Sequence, residues 1–342
     1  MNFTIFKEPI SIDKKKGKLQ NDNKDNNDGN EGSTNQDSIE TIMEEILELL
    51  NIDSSYSDRL TKINNIMQID ANYPILNITL ISPSLNYNKH NFEITPYGLK
   101  NSKRGAKDGI VLFGYERKNK NNNSNENLDN LNSEINNNSG NTEENDSFLL
   151  NDFVFPVEMK EDNYGLYEFP NFAIYFNVKD KSYYIKDFNT GVGALMKIKK
   201  IKMEKNTLIN IGSNYIVVNI ENDKIIIKLF NHTILENKKS EDNKGQNYII
   251  KEFTINSNKN SFITIGRSNK CDITIDDVML SKIHTCIEYN AAKKIFNLYD
   301  GDSQKESTNG TWIFILNPVK ITDNFMFKAE HTLFIASLTN NK

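Results

Sequence analysis

The chain has 342 residues, enough for two or three domains, with 37% hydrophobic and 25% charged residues and a formal net charge of −5. That acidic balance argues against nucleic acid or an anionic membrane as the main partner. Two cysteines exclude a disulfide framework.

In chain order, residues 1–37 are rich in Lys, Asn, Asp and Gly and end in NDNKDNNDGNEGSTNQD. They hold too little apolar area to offset chain entropy and are expected to be a disordered tail. The opening MNFTIFKEPISIDKKKGK lacks an apolar run long enough for a signal peptide. Residues 38–70 form a helical segment. Asp37 or Ser38 reads as an N-cap, and Ile39, Ile42, Met43, Ile46, Leu47 and Leu50 share one face. A second helix over about 55–67 carries Leu60, Ile63, Ile66 and Met67 in the same way. Two readings stand side by side: helix 38–50 as a docking or self-association element, or a helical pair covering the β-domain that follows.

From Tyr73 the pattern turns to short alternating strands, such as ILNITLISPSL, FEITPYGL and GIVLFGYE. An Asn-rich insertion at about 117–147 reads as disorder, because a loop of that length and polarity has no core to join. Strands resume with LLNDFVFPVEM, NFAIYFNV and SYYIKDF. In MKIKKIKMEK, residues Lys197, Lys199, Lys200 and Lys202 alternate with apolar ones and read as one strand with a solvated Lys face. No stretch approaches the roughly 20 apolar residues of a membrane span.

The most informative stretch runs from Ile263 to Trp312. Gly266-Arg267, Ser281-x-x-His284 and Thr308-Asn309-Gly310-Thr311 fall in the breaks between alternating strands, on loops that a rigid sheet can hold together. Arg267 offers a planar fork of donors suited to a phosphate, and Ser281 and Thr308 offer hydroxyls. This is equipment for gripping an anion rather than for proton transfer. The four histidines form no metal-ligand spacing, and there is no Gly-rich nucleotide loop and no nucleophile–base pair. No cofactor, no metal and no enzyme activity are expected. Cys271 and Cys286 lie in strand-like runs as small hydrophobes and suggest a reducing intracellular compartment, without choosing between nucleus and cytoplasm.

These three strings, in this order and separated by strands, resemble the forkhead-associated (FHA) domain over about residues 223–338. The resemblance implies an antiparallel β-sandwich that binds phosphothreonine peptides. On it, Arg267 and Ser281 contact the phosphate, Thr308 adds a contact from the opposite loop, and Lys282 adds charge or a main-chain contact. Asn309 bonds the ligand main chain, and His284 braces the loops. Gly266 and Gly310 answer backbone needs, close approach and positive φ respectively, and Thr311 completes the Asn-Gly-Thr turn. Met279 stands where some members of the family have a basic residue, two before the serine. Asp276-Asp277 reads as turn chemistry.

The first half parallels the second in five segments. Val111–Tyr115 parallels Ile263–Arg267, Asn151–Phe155 parallels Cys271–Ile275, and Asn171–Asn177 parallels His284–Asn290. Tyr184–Asp187 parallels Asn297–Asp300, and Asn206–Ile209 parallels His331–Phe334. The first copy carries Tyr115 for Arg267 and Asn171 for His284, Glu168 near the serine position, and Asn189-Thr190-Gly191-Val192-Gly193 for the Asn-Gly-Thr turn. The expectation is all-β: a degenerate FHA-like sandwich over 73–220 and an FHA domain over 222–342. The function that follows is a phosphothreonine-dependent adaptor in kinase signalling, with Thr-phosphorylated proteins as partners. Its own phosphorylated tail is a further candidate ligand. The competing reading is a phosphate-independent scaffold that uses both sandwiches as contact surfaces.

Overall fold

The computed structural model describes residues 33–69, 73–81, 90–102, 104–114, 151–155, 170–190, 193–221, 224–231, 248–302, 304–329 and 332–340. The tail before residue 33 and the whole expected insertion at 117–147 lie outside the described residues. Two helices open the chain, α1 (Ser33–Leu49) and α2 (Tyr56–Ile69). Helix α1 starts inside the stretch expected to be tail.

Strands follow in four groups. The first holds β1 (Pro74–Ile81), β2 (His90–Thr95), β3 (Gly98–Leu99), β4 (Ile110–Gly114), β5 (Phe153–Val154), β6 (Phe172–Asn177), β7 (Ser182–Asp187) and β8 (Ala194–Ile198). The second is short: β9 (Lys200–Lys202), β10 (Asn206–Ile211) and β11 (Asn214–Glu221). The third repeats the first, with β12 (Lys224–Asn231), β13 (Ile249–Thr254), β14 (Ser261–Gly266), β15 (Ile273–Thr274), β16 (Thr285–Asn290), β17 (Ile295–Asp300) and β18 (Thr311–Phe314). The fourth repeats the second, with β19 (Val319–Lys320), β20 (Phe325–Ala329) and β21 (Thr332–Asn340). Alternating burial along these strands, as in Ser182–Asp187, is the period-2 pattern the sequence carries.

The pairing crosses between groups. One five-stranded sheet runs β19-β7-β6-β4-β5, and its counterpart runs β15-β14-β16-β17-β9. Thus β19 from the end of the chain closes the first sheet, and β9 from its middle closes the second. The same exchange occurs in the opposite layer, where β21 pairs with β1 and β20 with β8, while β11 pairs with β12 and β10 with β18. Two sandwiches result: β1–β8 completed by β19–β21, and β12–β18 completed by β9–β11. The division at residue 221, with each copy contiguous, is not how the strands pair.

The Lys-rich run shows why. It is two strands rather than one: β8 ends at Ile198 and, after the single residue Lys199, β9 begins in a sheet of the other sandwich. One residue leaves no room for β9 to turn back beneath its own sandwich. On the other arm, Ile315–Pro318 carries the chain from β18 to β19.

The two sandwiches meet edge to edge. Antiparallel pairing of β8 with β18 sets Met196 opposite Ile313, with Leu195 opposite Phe314 and Ile198 opposite Thr311 on either side. This seam makes one continuous eleven-stranded sheet. The register also corrects the fifth parallel. Ile209 faces Ile313 as Phe327 faces Met196, so β10 corresponds to β20, and Asn206–Ile209 does not correspond to His331–Phe334.

Each sandwich has its own core. The first is aromatic: Phe113 stacks on Phe172 at 4.4 Å, and Phe327 stacks on Phe334 at 4.7 Å, the latter pair brought by the exchanged strands. The second is aliphatic, with Ile209, Ile211, Ile216 and Val218 from the exchanged strands against Ile263, Ile265, Ile287 and Leu298.

The helices cover the outer face of the first five-stranded sheet. Met43, Ile46, Leu47 and Leu50 pack on Ile110, Leu112, Ala173, Tyr175 and Phe188. Arg59 of α2 is only 3% exposed, and donates to the carbonyls of Asp108 (2.7 Å), Phe176 (3.1 Å) and Gly109 (3.3 Å). Tyr56 hydroxyl donates to Asp108 Oδ2 at 3.0 Å, and Arg104 bridges Asp108 (2.7 Å) and Asp152 (3.1 Å). Of the two readings offered for the helical segment, this is the covering pair: the apolar face of α1 is already occupied.

Candidate functional site

The site is built on the loops at one end of the second sandwich. After β14, the chain from Arg267 to Ser268 runs beside the loop 281–282, with Arg267 N donating to Ser281 O and Ser268 N to Lys282 O, both at 3.0 Å. Gly266 makes this approach possible. A Cβ there would run into the backbone at Lys282 O, His284 N and Ile283 Cα. Arg267 is exposed, and its Nε donates to Leu280 O at 3.1 Å, which aims the guanidinium along the loop. Leu280 beneath it is buried.

Opposite lies the 307–311 turn. Thr308 N donates to Ser281 Oγ at 3.0 Å, and the two hydroxyls are 3.4 Å apart. Asn309 Nδ2 donates to Met279 O at 2.7 Å, and Trp312 Nε1 donates to Asn309 O at 3.1 Å. Gly310 has φ +81°, the left-handed conformation expected of it, and the side chain of Lys197 from β8 lies against its open face. The structure therefore brings Arg267, Ser281, Thr308 and Asn309 to one loop cluster. Lys282 is exposed beside them.

His284 ties the loops from below. Its Nδ1 accepts from Ser281 N at 3.1 Å, so the ring proton sits on Nε2, 3.0 Å from the carbonyl of Gly310. The ring is fully buried, and burial lowers its pKa below the ordinary histidine value. A neutral imidazole is what these two bonds require. Thr311 Oγ1 donates to Asp300 Oδ1 at 2.9 Å, and Ser307 Oγ donates to the same oxygen at 2.5 Å while accepting from Gly310 N at 2.9 Å.

Three supporting residues escaped the reading of the sequence. Asp300 and Ser307 hold the Asn-Gly-Thr turn. The signal was present, since both copies end the same strand in aspartate, Asp187 and Asp300. Asp277 was assigned to a turn, and its Oδ1 does accept from Met279 N at 2.8 Å. Its Oδ2 also takes Asn214 Nδ2 (2.7 Å), Ser213 Oγ (3.0 Å) and Ser213 N (3.3 Å). That bond set pins the β10–β11 turn to the loop before Ser281 and holds the carboxyl below its usual range, despite partial burial. Val278 (85% exposed) and Met279 (54%) leave an apolar rim on the loop.

Residues 263–329 match the family model of the FHA domain. This part of the chain is an FHA domain. FHA domains are a protein-interaction family that binds phosphorylated partners, not an enzyme family. The match runs from β14 to β20, so its last two strands lie in the first sandwich, across the seam from the loops that carry the site. No curated protein matches the chain.

The first sandwich repeats the framework. Leu112 N donates to Asp152 Oδ2 as Thr264 N does to Asp272 Oδ2, each at 2.8 Å. Asn171 N donates to Phe113 O as His284 N does to Ile265 O. Asn171 therefore occupies the His284 position, as the sequence comparison expected. Tyr115, Glu168, Gly191 and Val192 lie outside the described residues. Asn189 has φ +58° and Gly193 φ +90°, and Asp187 accepts from Asn189 N and Ala194 N. No described helix is long and apolar enough to cross a membrane. Of the two cysteines, Cys286 is buried as expected, but Cys271 is half-buried, with its thiol donating to Lys282 O at 3.1 Å.

Proposed function

We propose that the chain is a phosphothreonine-dependent adaptor in kinase signalling, binding Thr-phosphorylated segments of partner proteins at the loops of the FHA domain. The observation that supports it most directly is the convergence of Ser281 and Thr308 beside the outward-facing Arg267. A phosphothreonine carries about −1.5 to −2 charge and three acceptor oxygens, which call for several donors with at least one charged. On this reading Arg267, Ser281 and Thr308 hold the phosphate. Lys282 adds long-range attraction, and Asn309 offers its free amide oxygen and second N–H to the ligand main chain. Gly266, His284, Gly310 and Thr311 keep the loops in register. The first sandwich is a diverged copy that no longer binds phosphate and serves as scaffold.

The test is titration of the full chain with phosphothreonine, phosphoserine and unphosphorylated versions of peptides drawn from an oriented library. The phosphothreonine form should bind, and the other two should bind at least tenfold more weakly. Arg267→Ala should lose about tenfold to a hundredfold, since a charge-assisted hydrogen bond nets about 1.5–3 kcal/mol. Equal binding of the phosphorylated and unphosphorylated peptides would leave the scaffold reading in its place.

A further inference from the structure

A cleft of about 470 Å³ opens beside the site, lined by Gly212, Ser213, Met279, Asn309, Trp312 and Lys328. Three parts of the chain meet there. Met279 and Asn309 belong to the recognition loops, and Gly212 and Ser213 to the exchanged β10–β11 turn. Lys328 comes from β20, in the other sandwich. The cleft exists because the two sandwiches share a sheet, and a solitary sandwich of this kind would lack its charged wall.

Lys328 is an unusual wall. Its ammonium donates to Asn210 Oδ1 at 2.7 Å and lies 4.6 Å from the centre of the Trp312 ring. Both partners are neutral, and no described carboxylate forms an ion pair with it. Burial alone lowers its pKa to about 8, with no charged group pulling the other way. A half-buried ammonium satisfied only by an amide and a ring face favours an anion that would restore what it lost in leaving water. Asp277, bonded to Ser213 and Asn214 at the rim, stays ionised, but its four bonds go to Met279, Ser213 and Asn214 and none to Lys328.

The cleft is continuous with the phosphate-binding loops. Asn309 reaches Met279 O on one side, and its own carbonyl takes Trp312 Nε1 on the other. A segment laid across Asn309 passes from Ser281 and Thr308 towards Trp312 and Lys328.

We infer that this cleft is a second anion subsite for the same bound segment, taking a carboxylate or a further phosphate carried by a residue flanking the phosphothreonine. Lys328 supplies the charge and Trp312 the wall. The inference rests on the phosphopeptide reading, and makes the ligand specificity of the FHA domain depend on a residue from the neighbouring sandwich.

The test uses the full chain and one phosphothreonine peptide with alanine at all flanking positions. Glutamate is placed at each flanking position in turn, and a second phosphothreonine in a parallel set. Titration calorimetry compares wild type, Lys328→Gln, Lys328→Arg and Arg267→Ala. At one flanking position the acidic peptide should bind wild type about tenfold tighter than the alanine parent, as one charge-assisted hydrogen bond allows. Lys328→Gln, which removes the charge and keeps a polar side chain, should keep the affinity for the parent and lose that gain. Lys328→Arg should retain most of it. The larger gain of the two sets identifies carboxylate or phosphate as the preferred group.

If the parent binds and no acidic position improves on it, the subsite is overturned and the phosphopeptide reading survives. A gain that persists in Lys328→Gln overturns it equally. If the parent itself does not bind, both readings fall. The wild-type comparison needs no variant, so a folding defect at position 328 does not shield the inference.

Discussion

The two sandwiches share one strand plan and differ in what their faces and loops carry. Both pair a parallel two-strand step (β4 with β5, β14 with β15) with the same antiparallel order, and both accept a three-strand unit from the far side of the seam. Their outer faces differ. In the first, Ile110, Leu112, Ala173 and Tyr175 are apolar and α1 covers them. In the second, the matching positions are Phe262, Thr264, Cys286 and Glu288, with Glu288 bonded to Tyr299 (2.6 Å) and Asn297 (3.0 Å). Their loops differ as well, since Asn171 stands where His284 bridges two loops. The lesson is that framework and site are separable. Asp152 and Asp272 do the same backbone work, while among the described loop residues Asn171 replaces His284.

The largest test of this comparison is to cut it. A fragment of residues 222–342 contains the whole family match yet lacks β9–β11. It would lose Ile209, Ile211, Ile216 and Val218 from its core, at about 1.5–3 kcal/mol for each buried side chain. That sum is comparable to the entire stability of a domain, about 5–15 kcal/mol. The fragment should show no cooperative thermal transition and poor amide dispersion. A well-folded fragment would mean that β19–β21 can return to their own copy, and that the exchange is one of two accessible pairings.

The exchange also marks how far the sequence could be read. Alternation in Ser182–Asp187 or Ile263–Arg267 shows which residues face a core, so strands, layers and the order of repeated segments were legible. The three loop strings were legible too, because Gly266, His284 and Gly310 are rare solutions to particular backbone problems. Alternation says nothing about which sheet a strand joins. The units β9–β11 and β19–β21 pair in corresponding registers, so local pattern does not assign either to a sandwich, and the choice is made at Lys199, where one residue links two sheets. Lys328 was hidden for the same reason: its role comes from a neighbour that local pattern does not name. The parallel of Asn206–Ile209 with His331–Phe334 failed because two apolar alternating arms of one hairpin look alike.

Paired core truncations sharpen the comparison without dismantling it. Phe334→Ala removes a ring stacked in the first core and should cost about 3–5 kcal/mol. Ile216→Ala in the second core should cost about 2–5 kcal/mol. Both residues sit on exchanged strands, so each should destabilise the sandwich its strand joins rather than the copy beside it in sequence. Hydrogen exchange read sandwich by sandwich checks this. Protection lost in β12–β18 after Phe334→Ala, with β1–β8 unchanged, would contradict the pairing.

Paired glycine substitutions separate framework from site. At Gly266 an added methyl meets the backbone of Lys282, Ile283 and His284, whereas at Gly114 it meets only the side chain of Asn151. Gly266→Ala should therefore cost about 1–3 kcal/mol, as overpacking does, and abolish phosphopeptide binding. Gly114→Ala should cost less and leave binding intact. Urea denaturation and peptide titration of the two variants decide between this and a merely local effect at Gly266.

The smallest effect is a pH dependence carried by the His284 position, which its counterpart Asn171 cannot carry. Burial lowers the pKa of His284 from its ordinary value near 6.5, so the folded state holds the neutral ring while the unfolded chain takes up a proton first. Between the folded and unfolded values the unfolded state binds more protons, and stability must therefore fall as pH falls. The stabilisation is complete above about pH 6.5 and drains away below it. Protonation of Nδ1 would also break the bond from Ser281 N and loosen the recognition loop. Asn171 holds the matching position in the first sandwich with a side chain that does not titrate. The variant His284→Asn should be less stable than wild type at pH 7.5, and the gap should narrow by pH 5.5. Thermal denaturation at the two pH values measures this without interference from the phosphate of a ligand, which titrates near pH 6 itself. A constant gap would assign the pH response to other groups and leave the neutral His284 bridge without its thermodynamic signature.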